Sequence, residues 1–474
     1  MPVVTSNVKK WFLLAVPLVL GAAGFLLAGE AFLNALFYAV CLYALNVQDA
    51  PPNLLVELAR WTAPIATASG LLLAFASLRN RIRNELCYRR GNSVAVYGPE
   101  NERIPFLAAL GDRGIDGEER FVRAQCYVLL DGEEENFSFY QRNRERLLGR
   151  TVYLRCSSVR PQSSADPELR LFSPEETAAR LFWKEHCLYE ESCRRGHRLS
   201  VVLIGFGKLG EEVLLYALQD NLFHPDQEIT YHIFGDGAAF SSIHGQLGQL
   251  RDPVIFHDGP WYGSLPLIEE AAAVLVVEQE AQTALADQLL LATGRERFFV
   301  FSADETSLAL LSGGNRLTLY PWRELSRRPE YILGDTLYDR AKRINLRYAS
   351  LYGGTEENEQ AKEAEWRKLD GFTRYSNISS ADYHEIQLRM LEIMGEPADA
   401  ARMSPACLEL LAELEHIRWC RYHWLNNWRF GTPENGKRKD PERRIHADLV
   451  PYESLSEAEK EKDRENIRVL FSVE

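Results

Sequence analysis

Two uncharged apolar runs open the chain, Trp11 to Gly29 and Trp61 to Leu78. Each is roughly 18 residues long, near the lower limit for a helix that spans a bilayer. Lys9 and Lys10 precede the first run; Arg79, Arg81, Arg83, Arg89 and Arg90 follow the second. The positive-inside rule then puts both termini on the cytoplasmic side of a bacterial inner membrane, and 1–90 is expected to be a two-helix transmembrane hairpin in a lipid bilayer. Ala31 to Leu45 is apolar but too short to span, and "NVQDAPPN" breaks it. A short dipping helix with a polar return loop is a pore layout, with Asn46, Gln48 and Asp49 at the mouth for passing ions. No T-V-G-Y-G filter occurs there. An interfacial helix joining two anchors is the other reading. A pore needs several copies around an axis, which implies a homo-oligomer, expected as a homotetramer.

Behind this segment the pattern becomes strand, turn, helix. Leu199 to Ile204 is a Val/Leu/Ile run of strand length. It ends in Gly205-Phe206-Gly207-Lys208-Leu209-Gly210, and Glu211 to Leu222 has helical patterning. "EITYHIFGD" is a second strand closing on Asp236, and "DPVIFHD", "AAAVLVVEQ", "RFFVFSA" and "RLTLY" continue the series. Residues 198–335 therefore read as a doubly wound Rossmann domain. Its glycines admit a pyrophosphate at a helix N-terminus, and Asp236 is placed to accept from a ribose hydroxyl. A Rossmann unit without a nucleotide is the plainer alternative. Residues 91–197 read as a degenerate Rossmann-like domain in which only Gly98 remains of the glycine turn. Its last helix carries a cap at Ser173, Pro174 at the first position and Glu176 completing the box.

From 336 onward the chain turns helical and rich in charge and tryptophan. Trp419, Trp424 and Trp428 fall within one expected helix, with Trp424 and Trp428 on a shared face. Aromatic faces beside Arg418, Arg421, Arg429, Arg444 and His446 suit a stacked base and a phosphate. Tryptophans at helical spacing are also ordinary core residues.

Composition narrows the field. The net charge of −13 argues against a nucleic-acid partner. Eight cysteines without a C-x-x-C pair fit free thiols in a reducing compartment. His186, Cys187, Cys193 and His197 match no common zinc spacing, so no metal is expected. The sequence carries no Ser-His-Asp, Tyr-x-x-x-Lys or metal-pair pattern, and His232, His244 and His257 have no orienting partner in sequence. A non-enzyme is the expectation.

The apolar N-terminus with "VVLIGFGKLGEEV" resembles the RCK or TrkA-type NAD-binding domains of potassium channels and transporters. The elements E-H-x-R-W, N-W-R-F-G, H-A-D-L-V-P-Y and E-K-x-K-D-R resemble the ryanodine-receptor repeat (RyR) domain, over about Leu408 to Leu470. Together they imply an α/β chain with a membrane hairpin, tandem Rossmann-like domains and a small, mostly α-helical C-terminal RyR domain with its flank (336–474). The resemblance implies a ligand-gated ion-channel-like protein whose cytosolic domains sense a nucleotide-type small molecule. NAD or a related adenine dinucleotide or ADP-ribose derivative would bind at Gly205 to Gly210 and Asp236. The RyR candidates are Trp419, Arg421, Trp424, Trp428, Arg429, Arg444, His446 and Tyr452. A membrane-anchored nucleotide-binding signalling protein without a pore, or a membrane-bound NAD(P)-dependent reductase, are the alternatives.

Overall fold

The computed structural model describes residues 3–46, 51–117, 120–163, 169–294, 297–302, 308, 310–311, 316–434 and 437–472. It divides into two compact units, Met1–Ser93 with Phe121–Ala124, and the remainder.

The first unit is built from three helices, Val3–Leu27, Phe32–Tyr43 and Leu54–Arg89. Small residues let them approach closely: a Cβ on Gly24 would lie 2.5 Å from Val56 Cγ2. Phe25, Ala35, Leu42, Val56, Ala59 and Ala63 form the shared core. Asn53 caps the third helix through the Leu55 N–H and donates to the Gly24 carbonyl at 3.3 Å.

Among the described residues no helix is long and apolar enough to cross a membrane. That overturns the expected transmembrane hairpin and, with it, the ion channel, ion transport and inner-membrane placement. The helix between the two expected spans is too short to cross, as the sequence predicts, and for the second span the physical reason is legible in Leu54–Arg89. Phe32–Tyr43 has 12 residues, about 18 Å at 1.5 Å per residue, against a hydrocarbon core of about 30 Å. Leu54–Arg89 is longer, but its uncharged stretch is diluted by Thr62, Thr67, Ser69, Gly70 and Ser77, with Glu57 and Arg60 before it and the arginine cluster after it. Asn46 is exposed at the end of the short helix, its N–H on the Cys41 carbonyl at 3.2 Å. Gln48 and Asp49 lie outside the described residues.

The second unit is α/β with two parallel sheets. The first has the order β2 (Gly114–Asp116), β1 (Val94–Tyr97), β3 (Cys126–Leu129), β4 (Thr151–Arg155), β5 (Leu169–Phe172), every pair parallel. That is the flavodoxin-like 2-1-3-4-5 order. In place of a glycine-rich turn after β1, Arg103 donates to the Gly98 carbonyl at 2.6 Å and pairs with Asp116 at 2.9 Å.

The second sheet has the order β11 (Leu317–Tyr320), β10 (Phe298–Phe301), β9 (Ala273–Val276), β6 (Arg198–Ile204), β7 (Glu228–Phe234), β8 (Val254–Phe256). All five pairings are parallel. This is the 3-2-1-4-5-6 order of dinucleotide-binding sheets, and the chain reverses direction of travel between β6 and β9. Strands buried on both faces need continuous apolar runs, which Val201 to Ile204 and Ala273 to Val276 supply.

The helix Pro174–Glu185 ties the sheets to the C-terminal part. Ser173 caps it by accepting from the Glu176 N–H at 3.2 Å. Trp183, fully buried, donates to the Val213 carbonyl at 2.9 Å on the helix Lys208–Asp220. The C-terminal helices are Thr336–Gly353, Glu359–Lys368, Gly371–Met394, Pro405–Leu425 and Glu457–Leu470. Between the last two runs a small sheet in the order β12 (Arg429–Phe430), β14 (Ile445–His446), β13 (Lys439–Asp440).

Candidate functional site

Two cavities hold some of the residues that the sequence singles out. One is the crevice at the carboxyl ends of β6, β7 and β9, about 850 Å³. The glycines there divide their work. Gly205 turns the chain at φ 88°, and a Cβ on it would come 2.5 Å from the Glu278 nitrogen. Gly207 caps the helix and faces open space. Gly210 packs that helix down, its would-be Cβ 3.1 Å from Phe206 and 3.3 Å from Val277. Those are the three roles a dinucleotide turn assigns to its glycines. Phe206 is buried edge-on against Phe240 and Phe256, and Leu209 lies in the core. Lys208 pairs with Glu212 at 2.8 Å instead of facing the crevice. Asp236 does line it, its Oδ1 accepting from the Ala238 N–H at 3.0 Å. Asp258, Glu278 and Glu280 line it too, and no lysine or arginine does among the described residues. Carboxylates suit ribose hydroxyls; a bare pyrophosphate among four of them is opposed electrostatically.

The second cavity, about 770 Å³, is assembled from three parts of the chain. The connection after β4 gives Arg160, the end of the helix Ala238–Ile243 gives Ile243 and His244, and the C-terminal part gives the rest. The Gly371–Met394 helix begins at its wall, with Asp370 as cap accepting from the Thr373 N–H at 2.8 Å. The Thr373 hydroxyl bonded to that carboxylate holds Asp370 below the usual carboxylate range, so it stays ionised.

Its aromatic wall is a cluster. Phe372 stacks on Trp428 at 5.2 Å, Trp419 sits 4.0 Å from His423 and 4.8 Å from His446, and His423 meets Trp428 at 5.1 Å. Burial pushes His423 down to about 3 and His446 to about 4, the latter with help from Lys439 and Arg438. Both rings are neutral at physiological pH. The His423 Nδ1–H donates to the Trp419 carbonyl at 2.8 Å, leaving Nε2 as an acceptor. His446 Nδ1 accepts from the Asp448 N–H at 3.1 Å, leaving the proton on Nε2.

Of the eight RyR candidates, Trp419, Trp428, Arg444 and His446 come together here. The others do not. Arg421 is buried in an ion pair with Asp252 at 2.7 Å. Trp424 packs against the core, Tyr452 is buried with its hydroxyl on Glu409, and Arg429 is exposed on β12. Arg418 is likewise internal, clasping Glu415 at 2.7 Å. Trp424 and Trp428 share no helical face, because the helix stops at Leu425 and Asn427 turns left-handed at φ 62°. Sequence reasoning passed over Arg160, Phe372, Tyr375, His423, Asn426 and Lys439, which line the cavity. Their positions span 160 to 439, so only folding brings them together; the one local signal was the cap at Asp370.

Comparison with known proteins adds one firm result. No curated protein matches the chain. A solved structure, the PH0520 protein from Pyrococcus horikoshii OT3, aligns over 69% of this chain and 98% of its own at 10% identity, with a TM-score of 0.22 that carries no argument. The family model described as "RyR domain" matches residues 401–473, the stretch that supplies Trp419, Trp428, Arg444 and His446. Residues 401–473 of this chain are a RyR domain.

Proposed function

We propose that the chain is a receptor whose RyR-domain cavity binds a nucleotide-type ligand, an aromatic base carrying phosphate, and signals through the domains that close around it. One observation carries this reading. Arg160, Lys439 and Arg444 converge on the cavity, and none is in a salt bridge among the described residues, although acids outnumber bases 67 to 54 in the chain. Cations left unpaired beside stacked aromatic rings suit an anion with a π-face. Asp370 supplies an acceptor for a ribose hydroxyl or an exocyclic amine. The depressed histidines are poor proton acceptors at neutral pH, which favours binding over acid–base catalysis.

A second reading is a TrkA-type lobe that takes NAD or a relative in the Rossmann crevice. The strand order and the three glycine roles favour it; the four carboxylates weigh against it.

Calorimetric titration of the full chain with NAD, NADH, ATP, ADP-ribose and cyclic ADP-ribose tests both. Trp419 is half-buried and its truncation is gentler on the fold than that of Trp428. Affinity lost in Trp419→Ala and kept in Gly207→Asp supports the RyR cavity. The reverse pattern moves the receptor to the Rossmann turn, and no binding by any of the five sinks the nucleotide reading.

A further inference from the structure

Arg160 and Arg444 come from different parts of the fold and meet at one residue. Arg160 Nη1 donates to the Asn426 side-chain oxygen at 3.2 Å, and Arg444 Nη1 donates to the Asn426 backbone carbonyl at 3.2 Å. A guanidinium offers five N–H donors. One bond each to neutral oxygens leaves most of both forks unused; Arg160 also lies over the Tyr375 ring at 5.2 Å. Arg444 is also held in a left-handed backbone conformation at φ 52°, with its carbonyl accepting from the Arg429 N–H at 2.8 Å. Non-glycine residues keep such a conformation where the surroundings over-determine it.

We infer that Arg160 and Arg444 form a subsite for a dianionic phosphate or pyrophosphate group, bridged by Asn426. The inference rests on the RyR cavity as a nucleotide-type receptor and deepens it by placing the phosphate end. It also assigns a consequence. Arg160 belongs to the connection between β4 and β5 of the first sheet, and two residues on, Gln162 is fastened to the C-terminal helices. Its carbonyl accepts from Arg374 at 3.0 Å and its side chain from the Trp366 indole at 3.2 Å. An anion shared by Arg160 and Arg444 therefore cross-links the first sheet to the RyR domain and holds the 156–163 segment in place. This is the step by which occupancy of the cavity reaches the rest of the molecule.

The probe is inorganic pyrophosphate, titrated into the full chain and into Arg160→Gln, Arg444→Gln, the double variant and Arg160→Lys. Pyrophosphate is expected to bind the wild type, and each Gln variant to lose about tenfold or more, as for charge-assisted forks. Arg160→Lys keeps the charge without the fork and is expected to fall between. Hydrogen exchange across 156–163 is expected to slow when pyrophosphate is added to the wild type, a readout that needs no variant. Absent binding, undiminished binding by the double variant, or unchanged exchange in the saturated wild type overturns the subsite. Trp419-dependent nucleotide binding that ignores both arginines overturns the subsite and leaves the receptor reading intact. Pyrophosphate binding lost in the double variant, with no nucleotide bound by the wild type, does the opposite.

Discussion

His244 and Leu425 join the second parallel-sheet layer to the RyR helix by a 2.6 Å hydrogen bond, ring Nδ1–H to backbone carbonyl. Asn427 adds a second clasp, its side-chain amide on the Ile243 carbonyl at 2.7 Å. The short helix Ala238–Ile243 thus carries Ala238 and Ser241 in the Rossmann crevice and ends at Ile243 on the RyR cavity. Ligands in the two cavities are expected to be coupled through it. His244→Ala should cost about 1–2 kcal/mol of stability by orphaning the Leu425 carbonyl. It should also weaken ligand binding in the RyR cavity several-fold, as calorimetry would read. Unchanged affinity would show that the clasp is structural alone.

Asp382 is the internal counter-ion on which the second unit depends. It holds the fully buried Arg180 by two bonds, 2.6 and 3.0 Å, and Lys184 at 2.6 Å, and Arg180 also donates to the Leu337 carbonyl at 2.7 Å. Asp382→Asn takes the carboxylate from Lys184 and leaves Arg180 the more distant Glu176 at 3.8 Å. Removing one member of a buried pair costs about 3–5 kcal/mol. The urea midpoint should fall accordingly.

Stability should decline in alkali because of one histidine. His416 Nε2 faces the Val450 carbonyl at 2.8 Å and Nδ1 faces Asp463 at 3.3 Å. Both ring nitrogens meet acceptors, so the ring carries two protons. Burial opposes that charge, but the Asp463 hydrogen bond, with Cys420 and Val450, outweighs it and lifts the pKa from 6.5 to about 10. A folded pKa above the unfolded one gives stability that is full below pH 6.5 and lost as pH rises towards about 10. Unfolding curves across that window should show the decline in the wild type and a flatter profile in His416→Gln.

Two glycines of one turn should respond differently to alanine. Gly205→Ala meets both a left-handed backbone and the Glu278 nitrogen 2.5 Å away, so a loss of about 2 kcal/mol or more is expected. Gly207 has an extended φ of −96° and open space, and Gly207→Ala should stay within about 1 kcal/mol of wild type. Thermal unfolding of the two variants side by side checks the contrast.

Local chemistry made several features readable from the chain. The apolar run from Val201 to Ile204, closed by Gly205, could be little else than a buried strand entering a tight turn, because strand period and glycine freedom act over a few residues. The cap at Ser173 and the RyR elements from Glu415 to Arg464 were legible for the same reason: their spacing is fixed within one stretch of chain. The second apolar run misled, since absence of charge was counted there and the dilution by Thr, Ser and Gly was not. Tertiary structure alone decided the rest. It stopped the helix at Leu425, so Trp428 turned into the cavity while Trp424 went to the core. It spent Arg418 and Arg421 on buried carboxylates and left Arg160 and Arg444 outside the salt bridges of the described residues. Charge pairing between residues hundreds of positions apart depends on which surfaces meet, and no periodicity in the sequence records that.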